Sequence, residues 1–483
     1  METISPATFL EIGDAMTANL AAPMSILMPV APNSTLPLIY VKAPCAAVAF
    51  VIHYIVGSRG PRSGEVRARQ LEWPHREQTR GAVKVTGIET IRVGEFPNLL
   101  WVQVLTDEGV TGLGETFYGP AAAEGHIHGI IAPYLIGKDP RNIEAHQVHL
   151  TGYIGFTGAS AEMRGRSAID IALWDILGQS VGLPLCDLLG GRVREEIMVY
   201  NTCAGYSYVQ TRPIQGTDNF GLDAAKGQYE DLDAFLNRAD ELAVSLLEQG
   251  ITAMKIWPFD YAAERTSGHW IDADELRRAL VPFEKIRKAV GDRMDVAAEL
   301  HSLWSRPQAI KIAQALEPLR PMWVEDPVFM DHLHSISEVA RATRVPIAVG
   351  ETRGGRADFR ALLELEALSM LIMDVTWGGG VSEARKVAAM AEAWHVPVAF
   401  HDCTGPVALA VSTHLALHAR NCWVQEMVRA FYYGWYHRFV TVLPPVAKGR
   451  ITVPAGPGLG LALQAGIGQR PGAAVRRTTP SDL

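Results

Sequence analysis

Three carboxylates recur at one fixed interval in this sequence, and that interval restricts the folds open to the chain more than any other feature. Glu299 lies in MDVAAELH, Glu325 in PMWVEDP and Glu351 in PIAVGET, 26 residues apart each time. Each acid closes a short apolar run that reads as a buried parallel strand, and a helical pattern follows each run. One strand plus one helix per interval places the three acids at the same level on adjacent strands. In a barrel of alternating strands and helices that level is the C-terminal rim, where such barrels carry their active sites. Three converging carboxylates repel one another unless a hard dication neutralises them, and an all-oxygen ligand set favours Mg²⁺ over zinc.

The alternation extends beyond these three strands. Strand-like runs at 197–201, 252–257, 295–299, 322–325, 347–350, 371–374, 397–400 and 422–425 are separated by helical patterns. One such pattern, 231–249, places Leu232, Phe235, Ala239, Leu242 and Leu246 on a single face. This predicts a closed parallel barrel over residues 196–428. Two strand-to-helix connections, 203–230 and 258–272, are long and rich in Gly, Tyr and Asp, as pocket-shaping loops are. Upstream, residues 83–195 read as an α+β domain. VKVTGIETIRV and LLWVQVLTD alternate as antiparallel strands, Asp107-Glu108-Gly109 makes a tight turn, and three helical stretches come after it. The last of these, AIDIALWDILGQSVG, carries Ile169, Ala172, Leu173, Ile176 and Leu177 on a buried face. Residues 429–483 lack repeats and are expected to pack back on the N-terminal domain.

Residues 1–82 do not resemble the rest of the chain. Their apolar run, 36–56, is interrupted by Lys42, Pro44 and His53, which leaves fewer than the roughly 20 clean apolar residues a membrane span needs. It also lies far from the N-terminus with no charged region before it, unlike a secretory signal. An extension without chemistry is expected here, poorly ordered or read through from an early start codon. A net charge of −8 and a pI of about 6.0 argue against nucleic acid as the partner. Cys45, Cys186, Cys203, Cys403 and Cys422 form no CxxC pair, which points to buried thiols in a reducing, cytoplasmic setting.

Read together, AIDIALWDILGQSVGLPLCDLLGG, MKIW, ELH, WVEDP, GET, MDVTWGGG and AFHDCTGP resemble the enolase superfamily in its mandelate racemase/muconate lactonizing enzyme group. The resemblance runs from about residue 83 to about residue 463. It implies an α/β architecture, a modified (β/α)7β TIM barrel under an α+β capping domain. It also implies Mg²⁺ held by Glu299, Glu325 and Glu351, and abstraction of a proton alpha to a carboxylate to give an enediolate. Where the family commonly has Asp as the first ligand, this chain has the longer Glu299. The partner implied is a small-molecule carboxylate, not nucleic acid or a membrane, and the protein is expected to be a homo-oligomer.

The resemblance further makes Asp374 and His401, 27 residues apart at successive strand ends, the family's basic dyad. An Asp that accepts the Nδ1 proton of a His fixes its tautomer and raises its basicity. Glu426 falls where the family places an acid that hydrogen-bonds the substrate carboxylate. Racemases of the group often carry Lys-x-Lys on the second strand, but Lys255-Ile256-Trp257 keeps only the first. His301, on the same side of its strand as Glu299 by two-residue alternation, makes a Glu-x-His similar to the Asp-x-His of acid-sugar dehydratases such as galactonate dehydratase. There the His is the general acid for a departing hydroxyl. The implied activity is dehydration of an aldonate or aldarate to a 2-keto-3-deoxy acid. Two alternatives stay open: a racemase, epimerase or cycloisomerase on the same site, and a catalytically inactive barrel serving as a scaffold or binding protein.

Specificity is expected from capping-domain loops near residues 96–98 and 153–158. The pairs His126 and His128, His332 and His334, and His414 and His418 are expected to be packed or solvated, since none has the Glu of HExxH. Trp257, Phe259, Tyr206 and Tyr208 are expected to anchor core and loops.

Overall fold

Strands β1 (Val85–Val93), β2 (Phe96–Thr106) and β3 (Thr111–Phe117) form an antiparallel meander in the computed structural model of the chain. The structure describes residues 83–151, 158 and 160–483, so the expectations for residues 1–82, and for the 153–158 loop apart from Gly158, lie outside the described residues. The helix Ala161–Val181 lies directly on β3. Two glycines permit this: a Cβ on Gly112 would stand 2.1 Å from the Ala172 carbonyl oxygen, and one on Gly114 1.9 Å from that of Ala168. Helix and strand backbones therefore touch. The same helix meets the barrel helix Gly380–Ala393 on its other side and the tail at Leu459, so Asp170 and Asp175 are as buried as Ile169 and Ala172.

Eight strands come next: β4 (Ile197–Thr202), β5 (Ala253–Ile256), β6 (Asp295–Glu299), β7 (Val324–Glu325), β8 (Ile347–Val349), β9 (Met370–Met373), β10 (Val398–Phe400) and β11 (Val424–Met427). Neighbours pair in parallel from β4 to β10, β11 pairs with β4, and a parallel bridge from Val398 to Cys422 closes the ring. Helices intervene after each of the first seven strands, which makes the (β/α)7β barrel with its α+β cap.

The barrel interior explains where the functional side chains point. Tyr200, Ala253, Ala297, Trp323, Ala348, Ile372, Ala399 and Val424 fill it, the Tyr200 and Trp323 rings meeting edge to face at 5.4 Å above the space the alanines leave. Two residues further along each strand, the next inward positions are Thr202, Lys255, Glu299, Glu325, Asp374, His401 and Glu426. Glu351 lies three residues after Ala348 and turns inward because Gly350 adopts φ 130°. A Cβ at Gly350 would press to 2.5 Å on the Ile372 carbonyl oxygen.

The tail contacts both halves. Strands β12 (Val446–Ala447) and β13 (Arg450–Ile451) form a hairpin on the first residues of β4, and β14 (Ala474–Thr478) adds to the meander beside β1. Among the described residues no helix is long and apolar enough to cross a membrane.

Candidate active site

Lys255 stands at the centre of the barrel mouth. Its Nζ lies 2.7 Å from Glu325, 3.1 Å from Glu426, 3.2 Å from Glu299 and 3.9 Å from Glu351. Burial alone would strip its proton, but Glu325 and Glu426 hold the ammonium charged well past its ordinary range. One ammonium does not balance four carboxylates. Burial and the neighbouring Glu299 push Glu325 far above the carboxylate range, and burial raises Glu351 as well. Glu299 goes the other way: burial opposes its ionisation, yet Lys255 and His301 hold it at about 2.

The donor set fits a hard dication. One oxygen from each of Glu299, Glu325 and Glu351 lies within 4.8 Å of the others. Glu299 Oε2 is completely buried and accepts no hydrogen bond, and the only cation it meets among the described residues is the Lys255 ammonium at 3.2 Å, which three other carboxylates share. The extra methylene of Glu299 therefore does not keep its carboxylate out of the cluster.

Two histidines flank these acids. His401 Nδ1 and Asp374 Oδ2 are 2.7 Å apart. Asp374 is itself fixed by donors from the Thr376 amide and hydroxyl, both at 2.7 Å, the Trp377 amide at 3.0 Å and the Thr404 hydroxyl at 3.0 Å. His401 Nε2 points at Glu351, 3.3 Å away. Burial would discharge His401, but Glu351, Glu426 and Asp374 carry it up to about 10. His301 donates its backbone N–H to Glu299 at 2.7 Å, and its Nδ1 lies 2.8 Å from Asp260. Burial lowers His301, while Asp260 and Glu299 raise it to about 9. A cation bound to the three acids would withdraw part of the negative charge that raises both imidazoles.

A narrow cavity of about 30 Å³ brings Lys255, Glu351, His301 and His401 together with Tyr118, Thr202, Tyr208, Gln215, Trp257, Trp377 and Cys403. A second, of about 420 Å³, shares its Gln215 and His301 walls and is otherwise lined largely by Phe220, Leu303, Phe329 and the segment 260–269. Glu426 does not line the small cavity. It lies beneath it, accepting from Thr202 Oγ1 and from the Asp402 amide at 3.0 Å.

Sequence reasoning missed several of these residues. Tyr208 and Trp257, expected as anchors, face the cavity, and Tyr118 comes to it from the cap. Residues 96–98 do not reach it: Asn98 donates to the Val209 carbonyl at 2.9 Å, and Phe96 packs on Trp435 with ring centres 4.2 Å apart. Asp260 carried no signal except its place in a long loop. Of the paired histidines, His128 packs between Thr90 and Thr478 and His414 against the Cys186 amide, while His332 and His334 are exposed.

Comparison with known proteins finds matches over both the cap and the barrel. Residues 88–190 match the family described as mandelate racemase / muconate lactonizing enzyme, N-terminal domain, and 238–467 the family described as enolase C-terminal domain-like. The chain is 33% identical over 354 residues to a D-galactonate dehydratase of Variovorax paradoxus, covering 73% of this chain and 83% of that protein. It is 31% identical over 389 residues to another of that name from Ralstonia nicotianae, covering 78% and 92%. A crystal structure of an enolase of the mandelate racemase subgroup from Agrobacterium tumefaciens superposes with a TM-score of 0.74 at 50% identity, covering 83% of this chain and all of that one.

Proposed function

The chain belongs to the mandelate racemase/muconate lactonizing enzyme family of the enolase superfamily, and on that premise we propose that its barrel mouth dehydrates an aldonate or aldarate to a 2-keto-3-deoxy acid. It is an enolase-superfamily dehydratase, a lyase; the class of acid and the residue roles below are our reading. One observation carries it. His301 follows β6 and His401 follows β10, four strands apart in a ring of eight and hence on opposite walls, and both face the one cavity that holds Lys255.

Glu299, Glu325 and Glu351 would hold Mg²⁺, which when bound supplies a Lewis acid that draws charge from the substrate carboxylate. His401 takes the proton from C2 through Nε2, its Nδ1 proton shared with Asp374 throughout. Lys255 offers its ammonium to the negative charge that gathers on the carboxylate as C2 loses its proton. Glu426, with Thr202, fixes Lys255 at the substrate's carboxylate end. His301 Nε2 protonates the hydroxyl leaving C3, water departs, and the resulting enol tautomerises to the ketone. Trp257 stands where racemases of the group have a second lysine and offers no base.

The test is a panel of aldonic and aldaric acids incubated with the Mg²⁺-loaded protein in D₂O, with 2-keto product as the expected outcome. Two opposed histidines are also what a two-base epimerase requires. Deuterium at C2 of an undehydrated epimer, with no keto acid from any substrate, would replace the dehydratase by that reading.

A further inference from the structure

The molecule contains a second His–Asp pair on the wall opposite the first, and its acid, which also borders the larger cavity, has the histidine as its one hydrogen-bond partner among the described residues. Asp260 begins the helix Asp260–Thr266 in the connection after β5, is 4% exposed, and meets His301 Nδ1 through Oδ2 at 2.8 Å. Two other buried carboxylates of this protein gather several donors: Asp374 takes two backbone amides and two hydroxyls besides its histidine, and Asp170 takes a backbone amide, a hydroxyl and a carboxamide. Asp260 gathers none of these, and its Oδ1 is buried with no hydrogen-bond partner. An acid left so poorly satisfied costs stability, so its placement answers to the histidine.

The backbone of His301 is itself constrained. His301 and its neighbour Ser302 both adopt left-handed conformations, at φ 50° and 57°, which non-glycine residues avoid. The Glu299 carboxylate holds the His301 amide, and the Asp326 carbonyl oxygen holds the Ser302 amide at 2.8 Å. These contacts set where the residue sits, but the ring could still turn about its side-chain bonds. Trp257, with its ring centre 5.7 Å away edge to face, limits one side of that rotation, and Asp260 supplies the only directional contact on the ring among the described residues.

We propose that Asp260 is a positioning residue for the leaving-group step: it accepts the Nδ1 proton of His301, fixes the tautomer and rotation, and so aims Nε2 into the cavity at the departing hydroxyl. The site then holds two dyads of the same construction, Asp374 with His401 for removing the proton and Asp260 with His301 for delivering one. This rests on the dehydratase reading for its consequence in catalysis, but not for the hydrogen bond itself.

Two measurements on the Mg²⁺-loaded protein decide it. In the first, alpha-proton exchange with D₂O and dehydration are followed separately for wild type, Asp260→Ala, the isosteric Asp260→Asn and the conservative Asp260→Glu. Dehydration is expected to fall about 10²–10³-fold in the Ala and Asn variants, with exchange and KM within a few-fold of wild type and partial rescue by Glu. Dehydration within threefold of wild type, or a proportional loss of both rates, would overturn the proposal. The second measurement is ¹⁵N NMR of histidine-labelled protein, with His301→Asn to assign the signal. It should show His301 protonated at Nδ1 in wild type and altered in Asp260→Asn; an unprotonated Nδ1 in wild type, or no change in the variant, would also overturn it. Wild type that dehydrates no acid sugar would instead sink the dehydratase reading, while the NMR result still decides the pair.

Discussion

At the barrel mouth four carboxylates, Glu299, Glu325, Glu351 and Glu426, crowd within 4 Å of one ammonium. Along the seam beneath the cap Glu115, Asp170 and Asp175 are equally buried, yet each has donors of its own. Glu115 takes the Trp101 indole N–H at 2.7 Å and the Ala408 amide at 2.9 Å, the latter from the first turn of the helix Pro406–His418. Asp175 takes the amides of Leu113 at 3.0 Å and Leu459 at 2.8 Å, tying sheet, helix and tail together. The same residue type thus does opposite work. Where donors are plentiful a buried acid is a structural joint, and where negative charge exceeds them it is a place for something positive to bind.

The sharpest way to break that contrast is to neutralise a mouth acid. Glu325→Gln should cut dehydration on the order of 10³-fold or more and weaken Mg²⁺ binding, because charge stabilisation by a bound metal is worth several kcal/mol. Wild-type turnover in the variant would remove Glu325 from the ligand set. Next in size comes the separation of the two histidines. His401→Asn should block both dehydration and alpha-proton exchange, whereas His301→Asn should stop dehydration and leave exchange measurable, each loss being about 10²–10⁴-fold. Loss of exchange in both variants would favour two bases or a proton relay.

Stability sharpens the comparison from the other side. Asp175→Ala orphans two buried amides and should lower stability by about 2–4 kcal/mol. Glu351→Gln, measured by denaturant melts in chelator, should leave the metal-free protein as stable as wild type or more so, since it removes like-charge repulsion. A Glu351 variant destabilised as much as the Asp175 variant would erase the distinction. The smallest effect is in pH. Burial raises Asp170 to about 6 and Asp175 and Glu115 to about 7. Between about pH 4 and pH 7 the native state therefore binds protons that the unfolded chain has lost, so stability falls as pH rises through that window, by up to about 1.4 kcal/mol per pH unit per group. Asp175→Asn should flatten the slope of the melting curve against pH; an unchanged slope would place that titration elsewhere.

Legibility in the sequence divides along the same line. The mouth acids stood out because a closed barrel imposes one strand and one helix per step, so function at the strand ends inherits the 26-residue period. The two-residue alternation then put His301 on the same side as Glu299, and the strand-end spacing of Asp374 and His401 matched the resemblance's dyad. Asp170 and Asp175 gave no such signal: the helical pattern marked one apolar face, and the contacts of Gly112 and Gly114 with that helix, of the Gly380–Ala393 helix on its far side and of the tail at Leu459 bury the rest. Asp260 and Tyr208 escaped because they sit in long connections, where side-chain direction depends on tertiary packing and not on any period. Residues 96–98 misled for a related reason. Expected as a loop at the site, they instead open β2, and the neighbours that hold them, Val209 and Trp435, come from segments distant in the chain.

The joint between the first and last strands bears on how the protein is made. β1 begins at Val85, and the strand that covers its outer edge, β14, pairs Thr478 with Ile88. At about 5–20 residues per second of synthesis, that edge waits roughly 20–80 s for its partner while the whole barrel emerges between them. During that interval the meander carries an open row of backbone donors and acceptors, the kind of edge that recruits a strand from another chain. β14, made long after the edge it covers, is therefore also the strand that ends the period in which neighbouring nascent chains can join edge to edge.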